Sequence, residues 1–95
     1  MNVRVQYFGY IKNLLNKKED QIELNAGASL SDLLDKLAGV HGVTFRKDVY
    51  EPGLSDVKTG FSVAVNGVFI GQLGGLGAKL ADGDTVMLMS LVTGG

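Results

Sequence analysis

The sequence predicts an α+β fold, a mixed sheet of about five strands with one main helix packed across it. Three observations carry that expectation. Apolar and polar residues alternate near the start, the middle and the end of the chain, as in strands with one buried face. Leu30, Leu33, Leu34 and Leu37 recur at the spacing of a helix with one apolar stripe. Asn66-Gly67, set between two β-prone runs, is a strong signal for a tight hairpin. The length of 95 residues suits one domain with one core.

Val3, Val5 and Tyr7 alternate with Arg4, Gln6 and Phe8, which gives a first strand that Gly9 ends. Tyr10 to Asn16 suits one helical turn before the polar run Lys17-Lys18-Glu19-Asp20. Gln21 to Asn25 alternates again, as a second strand antiparallel to the first. Ser29 is placed to cap the main helix, with Asp32 in its first turn, and Gly39 or Gly42 supplies the stop. Val43 to Glu51 reads as a short helix ended by Pro52-Gly53. Phe61, Val63 and Val65 then face inward on a third strand, with Ser62 and Ala64 on its other side. Asn66-Gly67 leads into Val68-Phe69-Ile70, and Gly71 to Gly77 is a glycine-rich crossing. Asp82-Gly83-Asp84 makes a turn before a final strand from Thr85 to Val92. A hairpin, a crossing helix and a last strand returning centrally, parallel to the first, is the β-grasp arrangement.

Composition removes much of the usual chemistry. With no cysteine there is no disulfide, thiolate metal site, iron–sulfur cluster or thiol nucleophile, and the single histidine cannot build a multi-histidine centre. No metal site is expected. A net charge of −1 gives no electrostatic reason to bind nucleic acid. The opening residues lack the apolar core of a signal peptide, and no apolar run approaches the ~20 residues that span a bilayer. The expectation is a cytoplasmic protein with no membrane partner.

Gly77-Ala78-Lys79-Leu80 breaks the phosphate-loop pattern, and Gly75-Leu76-Gly77 does not continue as a dinucleotide fingerprint, so the glycine run reads as a tight connection at a sheet edge. His41 lies near a helix end with no partner legible, and is expected to complement the last carbonyls and the helix dipole. The acidic residues Glu19, Asp20, Glu23, Asp82 and Asp84 lack metal-loop spacing, and the last two are expected to organise a turn.

The chain ends in Val92-Thr93-Gly94-Gly95. Two of the 14 glycines thus stand where no turn or helix stop is needed. Without side chains, Gly94-Gly95 can thread a narrow channel. An α-carboxylate there is ionised near neutrality, with a reference pKa of about 3.3–3.7, and resists nucleophiles until activated. Asp82-Gly83-Asp84-Thr85-Val86 followed by Val92-Thr93-Gly94-Gly95, with Asn66-Gly67 upstream, resembles the MoaD/ThiS family of ubiquitin-like sulfur carriers. The similarity runs through the opening strand and the Leu-rich helix. The chain length and the Phe45-Arg46-Lys47-Asp48-Val49-Tyr50 insert look more like the small subunit of molybdopterin synthase than the shorter thiamine carrier. Where molybdopterin carriers usually show Pro-Pro before the tail, this chain has Ser90-Leu91.

The resemblance implies a ubiquitin-like β-grasp domain over residues 1–95, with 93–95 a flexible tail. It implies that an E1-like adenylating enzyme, using ATP and magnesium, activates the Gly95 carboxylate. Sulfur then replaces AMP to leave a thiocarboxylate that donates sulfur in molybdopterin biosynthesis. Gly94 would provide the slim approach, and catalytic side chains would belong to partners, the second being the large subunit of molybdopterin synthase or another sulfur-accepting enzyme. On this reading the chain is a carrier and cosubstrate with no bound cofactor, rather than an enzyme. Thr93 to Gly95 can extend only ~10 Å, so the body must dock closely. Strand parity turns Phe8, Met87 and Met89 outward, and the resemblance puts Phe8, Phe69 and Met89 on the docking face. With Leu91, Val92 and Thr93 these form the expected partner-binding set. Alternatives are a thiamine-type or tungsten-pathway carrier, a ubiquitin-like modifier joined to lysines through Gly95, and a plain interaction domain with an inert tail.

Overall fold

In the first strand, β1 (Asn2–Phe8), Val3, Val5 and Tyr7 are buried while Asn2, Arg4 and Phe8 are exposed. The computed structural model describes residues 1–90. After β1 the chain turns through the short helix α1 (Tyr10–Leu15), which buries Ile11. Asn16, in the left-handed conformation with φ 55°, ends α1 and reverses the chain. The reversal is complete by Lys18, whose carbonyl accepts from Tyr7 N–H at 2.9 Å. Strand β2 (Glu19–Glu23) therefore starts two residues earlier than its alternation suggested, and pairs antiparallel with β1 from Gln6–Glu19 to Asn2–Glu23.

The main helix, α2 (Leu30–His41), carries the expected cap. Ser29 Oγ accepts from Asp32 N–H, and the Asp32 carboxylate accepts from Ser29 N–H at 2.9 Å, satisfying two donors that a helix start otherwise leaves open. Leu30, Leu33, Leu34 and Leu37 are completely buried against the sheet. Each such side chain contributes roughly 1.5–3 kcal/mol of burial. Gly42, at φ 73°, is the stop, and Gly39 lies inside the helix. Helix α3 (Val43–Asp48) ends before Pro52 because Val49 and Tyr50 turn into the core, where both are fully buried. Tyr50 Oη then donates to Asp35 at 3.1 Å.

Strand β3 (Phe61–Val65) meets β4 (Val68–Phe69) across Asn66-Gly67. Both turn residues have positive φ, 50° and 84°, as the hairpin turn that matches strand twist requires. Ile70 leaves the ladder and opens the first of two single turns of tight helix, Ile70–Gln72 and Gly75–Gly77. The glycine-rich crossing is not confined to a sheet edge. It runs to the start of α2, where Leu30 N–H donates to Ala78 O at 3.0 Å and Leu80 N–H to Ala28 O at 2.9 Å. Asp84 accepts from Ala81 N–H and so builds the turn, as anticipated, whereas Asp82 accepts from Asn2 N–H and ties the turn to β1. Strand β5 (Thr85–Ser90) completes a five-stranded sheet in the order β2-β1-β5-β3-β4. It is central, parallel to β1 and antiparallel to β3. The expected continuation of this strand to Val92 lies outside the described residues.

Candidate functional site

The outer sheet face is assembled by register. Along one row stand Gln6 of β1, Met87 of β5, Ala64 of β3 and Phe69 of β4, and along the next stand Phe8, Met89 and Ser62. The inner neighbours Val5, Val86, Tyr7 and Leu88 are buried, so parity alone turns Phe8, Met87 and Met89 outward. The structure thus brings Phe8, Phe69, Met87 and Met89 onto one face. Phe8 and Phe69 are 42% and 50% exposed, whereas the two methionines between them are half-buried. Aromatic and methionine side chains at a water-facing surface are the composition of an interface core, because such groups gain by being covered. Leu91, Val92, Thr93, Gly94 and Gly95 lie outside the described residues.

Ser90, the last described residue, is tied to the end of β1. Ser90 Oγ accepts a hydrogen bond from Tyr10 N–H, at the start of α1, and approaches Phe8 O at 3.5 Å. Gly9 lies directly beneath. A Cβ on Gly9 would stand 2.5 Å from Ser90 Oγ and 3.2 Å from Ser90 O, and the residue has φ 76°. Glycine is required there on both counts.

On the inner face below Phe8 lies a polar cluster that sequence reasoning missed. Tyr7 Oη donates to Asp20 Oδ2 at 2.7 Å, and His41 Nε2 lies 2.9 Å from the same oxygen. Lys17 donates to the other oxygen at 2.6 Å. His41 does occupy the last position of α2, but its ring turns to Asp20 rather than to the helix carbonyls. An available carboxylate is a stronger acceptor than a carbonyl already in the helix ladder. Phe45 stacks on the imidazole and Tyr7 meets it edge-on, with centroids 6.1 and 6.0 Å away. Burial alone would raise the pKa of Asp20, yet hydrogen bonds from Lys17, Tyr7 and His41 outweigh it and hold the carboxyl below its ordinary value. Burial, then the hydrogen bond to Asp20 and its charge, push the Tyr7 phenol upward. No spacing signal in the sequence joins Tyr7, Asp20 and His41, because three different elements supply them.

Among the described residues no three His, Cys, Asp or Glu side chains gather as a metal site, and no helix is long and apolar enough to cross a membrane. Among the described residues, the outer face contributes apolar contact area through Phe8, Phe69, Met87 and Met89.

Comparison with known proteins agrees with this geometry. Residues 5–95 match the model of the ThiS family. No curated protein matches the chain by sequence. Among solved structures, a Pyrococcus furiosus protein described as molybdopterin converting factor, subunit 1, is 28% identical, with TM-score 0.78 over 97% of this chain and 99% of its own. SAMP1 from Haloferax volcanii, a small archaeal modifier protein, is 22% identical with TM-score 0.80, both chains being covered completely. Urm1 from Trypanosoma brucei is 24% identical with TM-score 0.80, over 99% of this chain and 95% of its own. These neighbours are ubiquitin-like β-grasp proteins, and the chain shares their fold.

Proposed function

The chain belongs to the ThiS family, and on that premise we propose that it is a sulfur carrier whose Gly95 carboxylate is activated and converted to a thiocarboxylate. The observation that carries this reading is the extent of the family match, which runs through Gly94 and Gly95 to residue 95. The apolar outer face supports it, because a short side-chain-free tail reaches a partner's active site only when the body docks beside it.

A carboxylate oxygen of Gly95 attacks the α-phosphorus of ATP on an E1-like adenylating enzyme, with magnesium neutralising the phosphates, and pyrophosphate leaves. A sulfur nucleophile then attacks the acyl carbon and AMP leaves, taking the bonding electron pair. The thiocarboxylate sulfur so formed attacks an electrophilic carbon of the acceptor as an oxygen leaving group departs, and water then cleaves the acyl C–S bond, so that the sulfur stays on the acceptor and Gly95 returns as a carboxylate. The chain supplies the reacting carbon and the docking surface, and its partners supply the catalytic groups. For the acceptor we favour the large subunit of molybdopterin synthase, making this chain its non-catalytic small subunit, located in the cytoplasm. Structural similarity to the converting-factor subunit of Pyrococcus furiosus supports that branch over a thiamine-type one.

A second reading has its own support. The likeness to the archaeal modifier protein favours a chain joined through Gly95 to lysines of other proteins. Both readings share the adenylation step. ATP–pyrophosphate exchange by an E1-like enzyme should depend on the chain and vanish when Gly95 is deleted, with the urea unfolding midpoint unchanged. Exchange that persists after the deletion, or none with the intact chain, contradicts both.

A further inference from the structure

Resting on the carrier reading, we propose that Lys12 and Lys18 form a cationic rim beside Phe8 that receives carboxylate side chains of the activating enzyme. The two lysines share one concavity of about 240 Å³, whose lining includes Gln6, Phe8, Gly9 and Glu19. Lys12 belongs to α1, Lys18 directly precedes β2, and both are exposed. They meet because Asn16 reverses the chain between them, which returns Lys18 to β1, where its carbonyl accepts from Tyr7 N–H. The other charges at this corner are already matched. Lys17 Nζ lies 2.6 Å from Asp20 Oδ1, and Arg4 Nε lies 3.9 Å from Glu19 Oε2. Lys12 and Lys18 form no ion pair with any described residue.

Phe8 stands beside Met89 on the apolar face and also lines the concavity, so the apolar contact and the cationic rim are contiguous. A partner that covers Phe8 draws water away from two ammonium groups, and burying a charge without a counter-charge is costly. The surface that fits here therefore brings anionic groups to the rim. Carboxylates of a folded enzyme supply them at fixed positions, where they set register and speed encounter more than they add affinity. The attraction is local. With a net charge of −1, the chain as a whole has no field that draws an anion. Exposed charges at ~0.15 M salt act only over ~8 Å.

The test is steady-state ATP–pyrophosphate exchange by the E1-like enzyme, with first the chain and then ATP as the varied substrate. At ~50 mM salt, Lys12→Glu/Lys18→Glu should raise KM for the chain by ~10-fold or more, with kcat unchanged within about twofold. At ~0.5 M salt that excess should shrink to within about twofold, because exposed charges are screened. Lys12→Gln/Lys18→Gln, which removes the charges without reversing them, should give a smaller rise of roughly threefold. Arg46→Glu/Lys47→Glu makes the same change of net charge on α3, beside α2 on the other side of the sheet, and should leave KM unaltered. An unchanged KM in both Lys12/Lys18 variants, an equal rise in the α3 variant, or a rise that persists in high salt would overturn the rim and leave the carrier reading standing. A rise confined to KM for ATP would assign the lysines to the nucleotide and overturn it too. Absence of exchange with the unmodified chain would remove the carrier reading, and this proposal with it.

Discussion

Asp20 gathers donors from three separate parts of the chain: Tyr7 from β1, His41 from the end of α2, and Lys17 from the loop before β2. Its carboxylate is thereby held below the ordinary value of 3.8, and the sign of the consequence follows. A carboxyl with a depressed folded-state pKa stabilises the protein above its unfolded pKa, and that contribution is lost as pH falls through the folded value. Asp20→Asn should lower stability by about 1–2 kcal/mol at neutral pH, since bonds to a charged acceptor become bonds to a neutral one. The difference in Tm from the unmodified chain should narrow progressively below about pH 4, first as Asp20 of the unfolded chain protonates and finally, at lower pH, as that of the folded chain does. A gap of equal size at pH 7 and in strong acid would contradict the assignment. This cluster was not legible beforehand. His41 and Asp20 are 21 positions apart, and only the finished packing of α2 over β1 and β2 brings them together. Gly9 was legible as the end of a strand, but not as the floor beneath Ser90, for the same reason: the contact spans the length of the chain.

The helix α2 was readable because its signals are local. Ser29 and Asp32 form the reciprocal cap that their spacing suggested, and the leucine stripe is wholly buried. Ser29→Ala should therefore cost about 1 kcal/mol, measured as a lower urea midpoint with an unchanged denaturant slope. The Asn66-Gly67 hairpin was equally clear, because only a few residue types accept positive φ at both turn positions. Asn66 adds two bonds no turn rule foresees, accepting from Thr85 N–H at 3.0 Å and donating to Asp84 at 2.9 Å, which tie the hairpin to the turn before β5. Boundaries set by distant partners were harder to place. β2 begins at Glu19 because Asn16 reverses the chain early, and α3 stops at Asp48 because the core takes Val49 and Tyr50.

Sheet order followed from the sequence of elements, since a hairpin, a crossover helix and a final strand leave few right-handed solutions. β5 is central and parallel to β1, and that single placement sets Phe8 beside Met89 and Gln6 beside Met87. Strand parity was enough to turn Phe8, Met87 and Met89 outward, while Phe69 was placed by the resemblance. It could not show that Met87 and Met89 are half-covered while Phe8 and Phe69 stand proud, because this depends on side-chain packing across four strands. If the face docks the activating enzyme, Phe8→Asp and Phe69→Asp should each raise KM in the exchange reaction by ~10-fold or more, with Tm nearly unchanged. Equal KM values would move the docking surface elsewhere. The central claim concerns the carbon of Gly95. Intact-mass spectrometry after incubation with an E1-like enzyme, ATP, magnesium and a sulfur donor should show one oxygen replaced by one sulfur, localised by fragmentation to Gly95. An unchanged mass while ATP is consumed, or protein-sized lysine adducts with no thiocarboxylate form, would contradict the carrier.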